Sequence, residues 1–422
     1  MNFQLTVTLK EYPMLEQKVD PLSLANLLRP EVRADPYPFY RVLRETDPVH
    51  WDELMGFWVL TRYDDVAFAF NDPRFSRAQG LMGGFRRLPE AEQRIAEPVY
   101  HTYAQSMPYT DPPYHTRLRG LVNKAFTPRV VERMRPYIQQ VVDDLLDMVE
   151  AKGEMDVIRD LAYPLPLVVI AAMLGFPIEE RQQLKKWSDD SFAVLGIVRH
   201  SPELMEGAAR SMAELSDYIT ALSKDRRLQP QEDLLTALVT VVDEGERLTQ
   251  AELIANVSVL LAAGHETTSN LIGNGVLALL RHPDQLQKLR ADPSLAASAV
   301  EEVMRYDNPV QIVYRSAAED VEMGGKRIAK GQLVNMLLGA ANRDPEHFSD
   351  PDRFDLARDE GKHVGLGLGI HFCVGAPLAR LEGQIAFATL LRRLPNLRLA
   401  TDVFEWQAHP TFRGVKSLPV VF

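Results

Sequence analysis

Three features of the sequence predict a mainly α-helical fold with small β-sheets. Apolar residues recur at helical spacing over much of residues 130–300. One long pattern, 249–282, carries both a helix start signal and a stop signal. Strand signals are few and short. The composition, 46% hydrophobic and 25% charged over 422 residues, is that of a globular protein. No internal repeat, low-complexity tract or long linker divides the chain. One domain over 1–422 is therefore expected, with residues 1–30 as an extension packed on it.

The elements follow in order. Residues 56–61 read as a strand. Residues 131–149 form an amphipathic pattern after Thr127-Pro128, ending near Lys152-Gly153. The apolar stretch 165–174 stops at Gly175 and Pro177. Helices are expected over 178–199, 203–224 and 231–243. The longest, 249–282, opens with the capping box Thr249-Gln-Ala-Glu252 and stops at His282-Pro283. At 1.5 Å per residue it would be roughly 50 Å long. Short strands are expected at 310–315, 326–328 and 332–336, and a last long helix at 378–394.

Charge and cysteine content narrow the class. There are 47 basic and 58 acidic residues, a net charge of −11, which argues against nucleic-acid binding. The single cysteine, Cys373, rules out an internal disulfide and any multi-thiolate zinc site. The first thirty residues hold several charges and no signal-type apolar run. No stretch reaches the roughly 18 apolar residues of a membrane span. The expectation is a soluble, cytoplasmic protein without a membrane anchor.

Six consecutive polar residues, His265-Glu266-Thr267-Thr268-Ser269-Asn270, interrupt the long apolar helix just after Ala263-Gly264. Buried without partners, each would cost about 1–3 kcal/mol. They either meet water and polar core groups or line a catalytic groove. His265-Glu266 begins as the HExxH zinc motif does, but position 269 is Ser, which disfavours a zinc protease.

The other concentration of signals is Gly365-Leu366-Gly367-Leu368-Gly369-Ile370-His371-Phe372-Cys373-Val374-Gly375-Ala376-Pro377. The glycines let backbone pass close to something bulky. The cysteine sits just before a helix, where free N–H groups favour a thiolate. It could be a small buried hydrophobe, a nucleophile with His371 as base, or the axial ligand of a haem.

At this point the sequence resembles the cytochrome P450 family, whose loop reads Phe-x-x-Gly-x-x-x-Cys-x-Gly. Gly369, Cys373 and Gly375 match, and Leu366 stands in place of the phenylalanine. Glu302-Val-Met-Arg305 is similar to the family's Glu-x-x-Arg, and Pro351-Asp-Arg353-Phe to the segment that supplies a third charge partner. Residues 263–268 resemble the oxygen-binding groove, and His115-Thr-Arg-Leu-Arg119 the helix that meets the haem propionates. Arg315 falls ten residues after Arg305, where the family places another propionate arginine. The resemblance covers roughly residues 30–422.

It implies the cytochrome P450 fold, a large helical domain with a long central helix over haem b. Cys373 would ligate the iron. His115, Arg119, Arg315 and His371 would hold the propionates, and Ala263, Gly264, Leu366, Gly367 and Gly375 would line the haem. Glu266 and Thr267 would be the acid–alcohol pair that delivers protons. Glu302, Arg305 and Arg353 would form a structural charge cluster.

The implied reaction inserts one atom of O2, as a hydroxylation or epoxidation. Electrons would come from NAD(P)H through a reductase and a ferredoxin or flavodoxin, docking at a basic face formed by Arg117, Lys124, Arg129, Arg380, Arg392 and Arg393. Leu81, Met82, Phe85, Met107, Ala263, Val310, Ile312, Val313 and Phe412 would form an apolar substrate lining, with Gly80, Gly83 and Gly84 as lid hinges. That suits a polyketide, macrolide, terpenoid, steroid or fatty acyl chain, free or carrier-bound. A peroxide-driven peroxygenase and a non-catalytic haem protein are the competing readings. Glu266-Thr267 argues against the first; nothing in the sequence excludes the second, which would leave that pair unexplained. A monomer is expected.

Overall fold

The computed structural model describes residues 19–193 and 201–422. Most of the N-terminal extension, and the end of the helix expected over 178–199, lie outside those residues.

After a buried 3-10 turn at Leu24–Leu28 come α1 (Pro30–Ala34) and α2 (Tyr37–Thr46), then the hairpin β1 (Val49–Asp52) and β2 (Phe57–Leu60). Next come α3 (Tyr63–Asn71), β3 (Phe75–Ser76), α4 (Arg77–Arg86), α5 (Glu90–Tyr103) and α6 (Tyr114–Ala125). The pattern at 131–149 is two helices, α7 (Pro128–Arg133) and α8 (Arg135–Glu150). Pro136, in the first turn of α8, has no N–H with which to continue α7.

After β4 (Glu154–Asp156), α9 (Pro164–Leu174) is apolar nearly all round and closes on Gly175 at φ +74°. Then come α10 (Arg181–Ala193), α11 (Pro202–Leu228) and α12 (Leu234–Thr240). α13 (Gln250–Arg281) has both halves of its capping box. Glu252 N donates to Thr249 Oγ1 at 3.2 Å, and Thr249 N donates to Glu252 Oε2 at 2.8 Å. α13 runs through the main apolar cluster and packs on α9, α10, α15 (Ala296–Tyr306) and α17 (Ala376–Arg393). α14 (Pro283–Ala291) and α16 (Leu338–Ala341) complete the helices that the argument uses.

The main sheet has the order β1-β2-β8-β5-β3, with β5 at Ile312–Ala317 and β8 at Leu333–Leu337. Only the β2–β8 pairing is parallel. In β5, Val313 and Arg315 share one face because strand side chains alternate. A hairpin of β6 (Val321–Met323) and β7 (Lys326–Ile328) turns on Gly324-Gly325, both at positive φ. β4 also pairs with β10 (Pro419–Val421), which pairs with β9 (Arg398–Leu399). No helix among the described residues is long and apolar enough to cross a membrane.

The charge cluster corrects one expectation. Arg305 and Glu302 are 2% and 4% exposed and form a two-pronged pair, with both N–H···O bonds at 2.8 Å. The third member of the cluster is Arg358, whose Nε lies 3.4 Å from Glu302 Oε1. Arg353 contributes only its carbonyl, which accepts from Arg305 at 2.9 Å. Its side chain is 60% exposed and pairs with Asp355. The residue two after the proline therefore turns outward, and the partner arrives five residues later. Arg305 also donates to the carbonyls of Asn342 and Pro351, which ties the end of α16 and the following loop to α15.

Leaving one charge of a buried pair unpaired costs about 3–5 kcal/mol. Glu302→Ala should therefore lower the urea midpoint sharply. Arg353→Ala should stay within about 0.5 kcal/mol of the parent. Equal losses in the two variants would restore Arg353 to the cluster.

Candidate functional site

Cys373 lies at the floor of an apolar cavity of about 320 Å³. The preceding loop is held by backbone: Cys373 N donates to Leu366 O at 2.9 Å, and Phe372 N to Gly369 O at 3.1 Å. Gly369 sits at φ +64°, and a Cβ there would lie 2.8 Å from Asn71 Oδ1. Only glycine fits that position. The loop hands directly into α17, with Pro377 in its first turn. Burial pushes the Cys373 thiol up, while the N–H groups of Gly375 and Ala376 and the guanidiniums of Arg119 and Arg380 pull it down.

Above the cysteine stands the middle of α13. The Ala263 methyl and the Gly264 backbone line the cavity, with Thr267 one turn on. Thr267 Oγ1 donates to Ala263 O at 2.7 Å, a bond from a hydroxyl to the preceding turn that bends helices. Glu266 is not in the cavity wall. Neighbouring helix residues point about 100° apart, so Glu266 faces α10 and the C-terminal segment. There Asn270 Nδ2 approaches its Oε1 at 3.4 Å. Burial, then the nearby Asp189, pushes the Glu266 carboxyl up to about 7. The acid and the alcohol therefore stand on adjacent faces without touching.

The side wall is a cluster of cationic and imidazole groups. His115 and Arg119 come from α6, Arg315 from β5 and His371 from the loop, and all four line the cavity. The His115 and His371 rings are 4.3 Å apart, and His115 Nε2 is buried with no partner in the chain. Arg315 is 4% exposed, and among the described residues no carboxylate pairs with it, with Arg119 or with Arg77. Burial, then the Arg77 charge, depresses Arg315 to about 9. Burial, then Arg315, His115, Arg77 and Arg119, depresses His371 to about 2. Burying so much like charge is unfavourable unless an anion joins it. The group that fits carries negative charge toward this wall, an apolar body and a metal that takes a thiolate, as does the haem that the resemblance implies.

Of the expected substrate lining, Ala263, Met107, Val310 and Val313 are in the wall. Ile312 and Phe412 line an adjoining cavity of about 180 Å³ that shares Val310 and Val313. Met82, Phe85 and Leu81 line neither. Leu81 is 1% exposed inside a cluster of α4, α5 and α11, and the Phe85 ring packs tilted against Tyr100 at 5.1 Å. The hinge expectation also fails. Gly80, Gly83 and Gly84 lie within α4, and a Cβ on Gly80 would come within 3.2 Å of the Arg315 backbone. Gly80 is there so that α4 can press on β5.

The sequence reading missed Arg77, which lines both cavities and donates to Tyr314 O at 2.8 Å and Pro108 O at 3.1 Å. It also missed Tyr103, Tyr109 and Tyr314 in the smaller cavity. A helix start after Ser76 was the available signal for Arg77.

The basic docking face is largely spent within the chain. Lys124 pairs with Asp243, Arg380 with Glu301, Arg393 with Asp143, Asp147 and Glu150, Arg392 with Asp143, and Arg117 with Glu252. Beside Cys373 the surface is apolar instead: Ile370 is 52% exposed and Phe372 37%.

The family model for cytochrome P450 matches residues 88–397. The chain belongs to the cytochrome P450 family. Cytochrome P450 107B1 of Saccharopolyspora erythraea is 48% identical over 370 residues, which is 86% of this chain and 88% of that protein. The cytochrome P450 monooxygenase PikC of Streptomyces venezuelae is 44% identical over 399 residues, 92% of this chain and 91% of the relative. The crystal structure of P450BioI with a hexadec-9Z-enoic acid-ligated acyl carrier protein superposes with a TM-score of 0.86 at 40% identity. It covers 93% of this chain and 99% of that one. This cytochrome P450 is thus a monooxygenase-class oxidoreductase of the helical fold predicted. The family's cofactor is haem held by a cysteine thiolate, and the one cysteine here is Cys373.

Proposed function

We propose that this cytochrome P450 inserts one oxygen atom from O2 into a lipophilic small molecule, by hydroxylation or epoxidation. The observation that carries the reading is a single thiol facing the small-residue turn of α13 across an apolar cavity. Haem, when bound, supplies the iron that activates O2.

Cys373 holds the metal through its thiolate. Arg119, Arg315, His115 and His371 take the two propionates by charge-assisted hydrogen bonds, which removes the repulsion among them. Ala263 and Gly264 leave room above the ring for O2 and substrate. The Thr267 hydroxyl, already turned toward the Ala263 carbonyl, orients a water and passes a proton into the cavity. Glu266 receives that proton from the solvent side of α13. Val310, Val313, Met107 and Phe412 exclude water and seat the substrate.

Electrons come from NAD(P)H through a reductase and a ferredoxin or flavodoxin. The exposed Ile370 and Phe372 favour contact over the Cys373 loop. With five of the six expected basic residues already paired, that contact depends more on apolar burial than on long-range attraction. A cytoplasmic single domain suits such an arrangement.

The two adjoining cavities favour an elongated or macrocyclic lipophile, of polyketide, macrolide, terpenoid, steroid or fatty acyl type, with a carrier-bound acyl chain included. An optical titration of the ferric protein tests this. Linear fatty acids, free and carrier-bound, form one panel and rigid polycyclic or macrocyclic compounds the other. A low-to-high-spin Soret shift is expected with at least one panel. No shift with either, in protein that binds haem, would overturn the assignment of this lining.

A further inference from the structure

On the side of α13 away from the cavity, three ligand-bearing side chains converge from two helices. One ligand atom each from Asp189 on α10 and from His265 and Glu266 on α13 all lie within 4.8 Å of one another. His265 is 0% exposed, and neither ring nitrogen has a hydrogen-bond partner in the chain. The Tyr163 backbone approaches the ring without reaching hydrogen-bond geometry. The Tyr163 ring meets it edge-on at 4.3 Å and fixes its plane, so Nδ1 stands 4.0 Å from Asp189 Oδ1. An imidazole sealed from water without a donor or acceptor loses about 1–3 kcal/mol. Its Nδ1 is the ring nitrogen nearest Asp189.

We propose that Asp189, His265 and Glu266 form a binding site for one zinc-class divalent cation. The donor set is one imidazole and two carboxylates, which suits Zn²⁺, Co²⁺ or Ni²⁺ and not the all-oxygen preference of Ca²⁺ or Mg²⁺. Metal–ligand bonds of about 2.0–2.1 Å at a tetrahedral angle put donor atoms about 3.3 Å apart. The 4.0 Å separation of Nδ1 and Oδ1 therefore needs only a small closure.

The entry is open, since the Asp189 side chain is 37% exposed. The place already draws a cation: Lys185 Nζ lies 2.5 Å from Asp189 Oδ2. Tyr163 Oη donates to both Asp189 oxygens, at 2.9 and 3.1 Å, and holds that carboxylate in position as a bound ion displaces the lysine. The zinc ligands thus bridge α10 and α13, where the single-helix HExxH pattern failed for want of a second histidine.

Occupancy would tie up the Glu266 carboxylate. That effect on turnover rests on the proton-delivery role proposed above; the binding does not. The test is equilibrium dialysis of the haem-loaded protein against Zn²⁺, counting zinc per haem. Wild type should bind one equivalent. Asp189→Asn and Glu266→Gln, each checked for unchanged haem content, should bind at least about tenfold more weakly, and excess Mg²⁺ should not compete. No saturable binding, or equal binding in wild type and both variants, would overturn the site. Peroxide released per NADPH is then measured with zinc present. A rise in wild type and none in Asp189→Asn supports the site. One equivalent bound with no rise leaves the site standing and removes Glu266 from proton delivery.

Discussion

Exchanging Cys373 for histidine should abolish product formation and replace the thiolate-type Soret band of the reduced carbonyl complex with an imidazole-type one. The sulfur is the only group at the cavity floor that can donate the electron density oxygen activation needs. The loop that presents it is fixed by backbone bonds, and these do not involve the side chain: Cys373 N to Leu366 O and Phe372 N to Gly369 O. The variant should therefore keep the helical circular dichroism of the parent. Far-UV spectra together with the reduced carbonyl spectrum separate loss of ligand from loss of fold. A folded variant that kept both the thiolate band position and turnover would remove Cys373 from the iron.

The second large effect concerns proton delivery and carries a pH signature. The Glu266 carboxyl is pushed up to about 7, by burial first and then by Asp189. A raised acid is protonated below that pH and can donate; above it the group is ionised and cannot. Besides Asp189, the groups facing Glu266 are Lys185 on α10, His265 and Asn270 on its own helix, and Gln407 from the C-terminal segment. Peroxide released per NADPH should accordingly rise in wild type as pH passes 7. Glu266→Gln should lose coupled turnover by about 10²-fold or more and show a flat profile. Thr267→Ala should also uncouple but retain the step near pH 7, because the titrating group remains. Wild-type coupling in Glu266→Gln, with the step intact, would assign the proton source elsewhere.

Much of the site was legible because it rests on short-range grammar. The Cys373 loop declares itself through its run of glycines, two of which, Gly367 and Gly369, sit at positive φ where glycine is favoured, and α13 through its capping box and stop. The helix and strand positions agree to within a few residues for the same reason.

What the sequence hid was decided by contacts between distant segments. Arg353 and Arg358 lie in one loop, and only the fold determines which of them meets Glu302. Leu81 and Phe85 have the apolarity of a substrate wall, but the packing of α4 on α5 and α11 spends it there. The candidate docking cations read as free charge until Asp243, Glu301 and the acidic face of α8 are brought beside them. The Asp189–His265–Glu266 cluster was invisible for the same reason, since Asp189 arrives from another helix.

The two-cavity wall has a consequence for how such an enzyme can diversify. β5 carries Arg315 and Val313 on one face, and its ladder with β8 fixes both. A change of register that adjusted substrate fit would also move the proposed propionate partner Arg315. The α13 wall is equally constrained, because bulk at Ala263 enters the cavity and a Cβ on Gly264 would press to 3.2 Å on Ile170 of α9. The segments at Met107–Tyr109 and around Phe412 are tied differently. Phe412 is held by an isolated bridge to Val310, and the Met107 turn by its bond to Asn256. Sequence drift there reshapes the far end of the chamber without touching the chemistry. Substrate preference is thus the most evolvable property of this scaffold, and its variation belongs in two short irregular turns.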